Sequence, residues 1–359
     1  MNSEIISKYN LFLNKLLDHQ DNFKSNSLNL SSKYEKISSK ASSEIFSGHF
    51  SYQKIRSWSE QDDLGVPVQL RRLLSLDSFT FVNFIRYLRY LSPDYWARSK
   101  FQKQALQDDL NIIKESGYVN LLIKNPITKT PFVRDIYIKD KLKFNSRYLR
   151  YIYISGQINK YKLLSRREYS VHVDIGGFYG GLQGILFNEY SNTTFISVEL
   201  PHQLFRSFLY HKLLYPEVVQ IVGIREFESY MSSATRKNGF IYLSPLDYDS
   251  ITKITHVDLL TNFLSFGEMS RSNFDNYMKS KTTLNSKSYY FVNRFISSPK
   301  YEQTYDANIN VMDYFIPQTE LKLFDIFPIH HYMITKRGFL GRDGFRNVSS
   351  PQFELIQTK

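Results

Sequence analysis

VHVDIGGFYGG, residues 171–181, decides how this chain reads. A short run rich in β-branched residues ends in Asp174. Gly176, Gly177, Gly180 and Gly181 follow, and a helix-like segment runs on to Glu189. A strand passing through a tight turn into a helix leaves backbone N–H groups unpaired at the helix start. Glycines there let a ligand approach the backbone closely. The spacing excludes a dinucleotide fingerprint, which needs glycine at the first, third and sixth positions. Counted from Gly176, the third position is Phe178.

The acid is as telling as the glycines. Asp174 stands at the strand end, where it would repel a pyrophosphate and attract a cation. That suits a cofactor with an α-amino group and a positive charge, such as S-adenosylmethionine. Downstream, TTFISVELP brings a second strand to its end at Glu199. A carboxylate there can accept hydrogen bonds from both hydroxyls of a ribose. Strand-like runs at Val171–Ile175, Thr194–Val198, Phe240–Leu243, Val257–Asn262 and Tyr289–Val292 alternate with helix-like segments near Gly181–Glu189, His202–Leu214 and Ser272–Lys281. Such alternation predicts an α/β fold, a doubly wound parallel sheet covered on both faces.

The first part of the chain is different. Residues 2–20 carry Ile5, Ile6, Tyr9, Phe12, Leu13, Leu16 and Leu17 at helical spacing, a segment fit to dock on a partner or a second copy. A Ser-rich stretch follows over residues 25–48. Ser92-Pro93 reads as a helix start and Gly117 as its stop, with YVNLLIK and FVRDIYI beyond it expected as strands around Asn125-Pro126. Three parts are expected: a helix plus Ser-rich linker over 1–60, a mainly helical, basic region over 61–165, and the α/β domain over 166–359.

Residues 171–295 resemble a class I S-adenosylmethionine-dependent methyltransferase, which has a Rossmann-like sheet. More narrowly, VDIGGFYGGL, VELP, DLLTNFLSFGEMS and YYFVNRF, in that order, resemble the bacterial sugar O-methyltransferases. Two positions depart from the commonest pattern: Phe178 stands where glycine is usual, and Glu199 where Asp is also usual. The resemblance implies a transferase that methylates a sugar hydroxyl of a cell-surface glycan such as O-antigen or capsule, or its precursor, in polysaccharide biosynthesis. The cofactor is then expected at Asp174, Gly176, Gly177, Tyr179, Gly180, Glu199, Leu200 and Asn262. Ser265, Asn293 and Arg294 follow the ends of the fourth and fifth strands and are expected at the acceptor. Glu268 is the first candidate for an acid/base group, although Ser265 to Glu268 also has the spacing of a capping box. His330 and His331 are further candidates, because imidazole titrates near neutrality. No Asp/Glu/His spacing suggests a metal, and none is expected.

Composition bounds the rest. The chain has 359 residues, 46 Lys+Arg, 34 Asp+Glu and no cysteine, so disulfides, thiolate metal sites and a cysteine nucleophile are excluded. Between Ile85 and Glu168 there are 18 basic and 7 acidic residues; the remainder is nearly balanced, with 28 and 27. The excess therefore belongs to one region, and points to an anionic glycan or glycan precursor, or to peripheral contact with a membrane. A homo-oligomer through the N-terminal helix is a further candidate. A cytoplasmic protein, at the inner face of the membrane, is expected. Nucleic-acid methylation is the weaker alternative, because the fourth strand lacks an Asn/Asp-Pro-Pro-aromatic ending. A non-catalytic binding protein of the same fold is the third reading.

Overall fold

The computed structural model describes residues 11, 14, 93–129, 136–233, 238–297, 308–329, 332–335, 346–349 and 351–359. The chain divides into two units. One comprises Met1–Trp58, Gln157–Phe327 and Gln352–Lys359; the other comprises Ser59–Gly156 and Pro328–Pro351. Leu11 and Asn14 are helical; the Ser-rich stretch and the segment before Pro93 lie outside the described residues.

In the second unit, helix α1 (Pro93–Glu115) starts at the anticipated proline. It ends at Gly117, whose φ of 76° lets Tyr118 N–H reach back to the Ile113 carbonyl at 2.9 Å. YVNLLIK is not a strand but α2 (Val119–Lys124). Its apolar residues fall at helical spacing as readily as at alternate positions, and only Leu122 is buried. A hairpin of β1 (Tyr137–Lys139) and β2 (Leu142–Phe144) follows, turning through Asp140 and Lys141, both at positive φ. Asn145 then caps α3 (Ser146–Lys160), its side chain accepting from Tyr148 N–H at 2.8 Å. The division between units falls within α3, after Gly156. Residues 328–351 include a second hairpin, β10 (Tyr332–Thr335) with β11 (Arg346–Ser349).

The first unit is built on an eight-stranded sheet. In chain order its elements are β3 (Ser170–Ile175), α4 (Gly181–Glu189), β4 (Thr193–Val198), α5 (Pro201–Leu214), β5 (Val219–Val222), α6 (Ile224–Ser232), β6 (Gly239–Leu243), α7 (Ile251–Ile254), β7 (Leu259–Phe263), α8 (Arg271–Lys279), α9 (Lys281–Asn285), β8 (Ser288–Arg294), β9 (Glu320–Ile326) and β12 (Gln352–Thr358). Across the sheet the order is β5-β6-β4-β3-β7-β8-β12-β9. All pairings from β5 to β8 are parallel, and β12 runs against both of its neighbours. The fold is therefore the expected α/β doubly wound sheet, with one reversed strand.

Strands β3, β4 and β6 are buried at every residue, as a sheet covered on both faces requires. Val171, Val173, Ile175, Ile196, Ile241 and Leu260 form the centre of one apolar cluster. Strand order reverses between β3 and β7, so the crevice where ligands bind such sheets opens at the carboxyl ends of β3, β4 and β7.

Candidate functional site

The turn after β3 is shaped by side chains that occupy the places its glycines leave open. A Cβ at Gly176, which has φ 73°, would overlap the Ser265 hydroxyl. One at Gly177 would overlap Asp174 Oδ2, and one at Gly180 the His211 ring. Phe178, the departure from the glycine pattern, itself adopts φ 60°, the left-handed conformation that glycine supplies without strain. Its backbone is held on both sides. Phe178 N–H donates to Glu199 Oε1 at 3.2 Å, and Phe178 C=O accepts from Ser207 at 3.0 Å. The Arg206 guanidinium lies 5.1 Å from the Phe178 ring centre.

Two acids flank this turn. Asp174 is 2% exposed; its Oδ1 accepts from the Thr261 hydroxyl at 2.7 Å, and its Oδ2 has no hydrogen-bond partner among the described residues. Burial raises its pKa to about 7 against the Thr261 hydrogen bond, with the Glu199 charge adding to the rise. Glu199 closes the other side, with Oε1 on Phe178 N–H and Oε2 on Leu200 N–H at 3.0 Å. Burial likewise raises it to about 7. Two carboxyls poised near neutrality, each with acceptor capacity left, make a place where a cation and hydroxyl donors are both welcome. Leu200 contributes its N–H to Glu199, and Tyr179 is buried beneath the turn with its ring 4.9 Å from that of Tyr210.

His211 supports the turn from below. It stacks on Phe240 at 3.8 Å, with Nε2 2.9 Å from the Gly180 carbonyl and Nδ1 3.0 Å from the Tyr242 hydroxyl. A carbonyl only accepts, so Nε2 carries the proton and Tyr242 donates to Nδ1. Burial lowers the His211 pKa to about 3, and does the same for His202 and His172. All three stay neutral.

The residues after β7 and β8 behave differently. Asn262 is fully buried. Its amide donates to the Ile175 carbonyl at 2.8 Å and to Ser265 Oγ at 2.5 Å, and its oxygen accepts from Phe266 N–H and from Asn293, each at 3.0 Å. Asn293 is also fully buried, and its oxygen accepts from Gly267 N–H at 3.2 Å. Ser265 donates to the Ile175 carbonyl at 3.3 Å and makes no cap to the short 3-10 turn Phe266–Glu268. The capping-box alternative is therefore not what the geometry shows; the serine that caps is Ser270, at the start of α8. Glu268 Oε1 instead lies 3.3 Å from Arg294, in a pair whose side chains are 29% and 13% exposed.

The structure thus brings Asp174, Gly176, Gly177, Tyr179, Gly180, Glu199, Leu200, Asn262 and Ser265 to one rim, and Asn293, Arg294 and Glu268 beside it. His330 and His331 lie outside the described residues. Asp247 was not anticipated. It follows β6, which pairs with β4, is buried, and has one carboxyl oxygen with no hydrogen-bond partner among the described residues. Burial raises it to about 6. The only trace in the sequence is an acid a few residues past a strand end, in SPLDYDS.

No family model matches the chain, and no curated protein matches it. Solved structures overlap with it only loosely. A Thermoplasma acidophilum protein is 10% identical, covering 67% of this chain and 97% of its own, with a TM-score of 0.39. An S-adenosylmethionine-dependent methyltransferase from Anabaena variabilis is 12% identical over 57% of this chain and 83% of its own, at 0.34. TrmK from M. capricolum, in complex with S-adenosyl-homocysteine, is 11% identical over 56% and 67%, at 0.30. With TM-scores this low, the functional reading rests on this chain's own residues.

Proposed function

We propose that this chain is an S-adenosylmethionine-dependent methyltransferase. The observation that carries the reading is the pair of acids, the buried Asp174 and the half-buried Glu199, facing a glycine turn at the switch point of a doubly wound sheet. Asp174 Oδ2 takes the cofactor's ammonium group, and Glu199 accepts from the ribose hydroxyls. The unpartnered oxygen of Asp247 offers an acceptor to the exocyclic amine of the base. Asn262 positions rather than binds, since its amide is already saturated. When bound, the cofactor supplies an electrophilic methyl group.

The acceptor we propose is a sugar hydroxyl, as the resemblance of VELP, SFGEMS and VNRF to sugar O-methyltransferases implies. The attacking oxygen forms a bond to the methyl carbon as the carbon–sulfur bond breaks, and the hydroxyl proton must leave. Glu268 receives that proton, and Arg294 holds Glu268 and an anionic group of the acceptor. The exposed Lys129, Lys141 and Lys143 give the other unit a positively charged surface of its own. Arg150, by contrast, is buried and belongs to the interior of its unit.

Calorimetry with S-adenosylmethionine and S-adenosylhomocysteine on wild type, Asp174→Ala and Glu199→Ala tests the cofactor. Wild type should bind both and the variants neither; undiminished binding by both variants refutes the placement. Radiolabelled methyl groups followed into polysaccharide and into RNA test the acceptor. Label in RNA alone would overturn the sugar reading.

A further inference from the structure

The geometry points to Thr261 and His172 as positioning residues, a two-step hydrogen-bonded relay that aims the Asp174 carboxylate at the cofactor's ammonium group. This rests on the cofactor placement proposed above and adds to it two residues that touch no ligand.

The relay follows from register. Thr261 of β7 is the direct partner of Asp174 on β3, and His172 lies on the same face of β3 as Asp174, two residues earlier. The Thr261 hydroxyl is 2.7 Å from Asp174 Oδ1 and 2.8 Å from His172 Nε2, with the Val173 carbonyl more distant at 3.4 Å. A hydroxyl has one proton, and three acceptors compete for it.

His172 settles the competition. Its Nδ1 is buried and has no hydrogen-bond partner among the described residues. If the ring proton sat on Nδ1, an N–H donor would be orphaned in the core, and Thr261 would have to donate to Nε2 instead of to Asp174. With the proton on Nε2, the orphan is a lone pair, which costs less, and every other group is satisfied. His172 therefore donates to Thr261, and the only proton of Thr261 goes to Asp174. The imidazole is held in place by an edge-on contact with Phe195, ring centres 5.6 Å apart. One carboxylate oxygen is thereby fixed, and the other, in the space that Gly177 leaves open, is the oxygen presented.

The test compares two ligands that differ only in the amino-acid arm: S-adenosylhomocysteine, which has it, and 5′-methylthioadenosine, which lacks it. Thr261→Val should weaken the first roughly ten- to hundredfold, the range for a hydrogen bond to a charged group. It should leave the second within about twofold, a bound set by ordinary non-local coupling. Thr261→Ser should restore the first ligand. His172→Phe frees the Thr261 hydroxyl to turn to Val173 and should weaken the first ligand alone, by a smaller factor; it also serves if Thr261→Val does not fold. Parallel loss of both ligands means a structural role and overturns the relay, as does unchanged affinity for the first. Failure of wild type to bind either ligand overturns the cofactor reading and the relay with it.

Discussion

Two neighbouring stretches of the same rim are built on opposite principles. At the ends of β3 and β4 the acids retain acceptor capacity: among the described residues, Asp174 Oδ2 has no hydrogen-bond partner, and Glu199 accepts hydrogen bonds only from two backbone N–H groups. At the ends of β7 and β8, Asn262 uses both amide hydrogens and both oxygen lone pairs within the protein, and Asn293 is tied to it. Buried polar groups with every bond satisfied stabilise and shape a structure; those left incomplete cost stability and await a ligand. The contrast separates residues that bind from residues that brace.

Asp174→Asn offers the sharpest way to break that distinction. It should cost at least about a hundredfold in S-adenosylhomocysteine affinity, because an ion pair becomes a neutral contact. The melting temperature should hold or rise, since a buried charge is removed. A large fall in melting temperature would make Asp174 a brace. Asn262→Ala and Asn293→Ala should do the reverse, each lowering stability by about 2–4 kcal/mol in urea unfolding through the buried groups left without partners. Full stability in either variant would dissolve the contrast.

A smaller effect distinguishes the two stretches by pH. The folded pKa values of Asp174 and Glu199 are about 7, above their ordinary range. Folding therefore holds protons that the unfolded chain releases, so their contribution to stability is full at low pH and is lost as pH rises from about 4 to 7. A bound ammonium group favours the ionised forms, so S-adenosylhomocysteine affinity should rise as pH passes through 7. Affinity for 5′-methylthioadenosine should change less. Calorimetry at pH 6, 7 and 8 checks both.

The buried histidines act in the opposite sense. His172, His202 and His211 titrate near 3 when folded, so their stabilisation is complete above 6.5 and is lost as pH falls from there. His211→Phe keeps the stack on Phe240 but loses the bonds to Gly180 and Tyr242. It should cost about 1–3 kcal/mol at pH 7, two buried hydrogen bonds, and flatten the acid limb of the stability profile. An unchanged acid limb would show that His211 is not held neutral by burial.

Much of this organisation was legible in the chain. Continuous burial of central strands shows as VHVDI and TTFISV, and the glycines and acids after them mark the loops, so β3, α4 and β4 read almost to the residue. YVNLLIK misled because Leu121, Leu122 and Ile123 suit either period, and its placement depends on what packs against Leu122. The edge strand β5 and the reversed β12 were not foreseen: which strands pair is a matter of tertiary contact, not of local pattern. Asp174 and Glu199 announced themselves by position. The saturation of Asn262 and the link from His172 to Thr261 could not, since each depends on at least one partner 31 to 89 residues away.

The glycine turn has a consequence for how this sequence can change. Gly176 leaves its space to Ser265, Gly177 to Asp174 and Gly180 to His211. An alanine at any of the three meets a specific neighbour, so substitutions there cannot be accepted one at a time. Gly176 and Gly180 carry a second constraint, φ of 73° and 80°, so an alanine there stays strained even after Ser265 or His211 has become smaller. Positions 176 and 180 should therefore stay glycine in descendants of this chain, whichever acceptor they come to use.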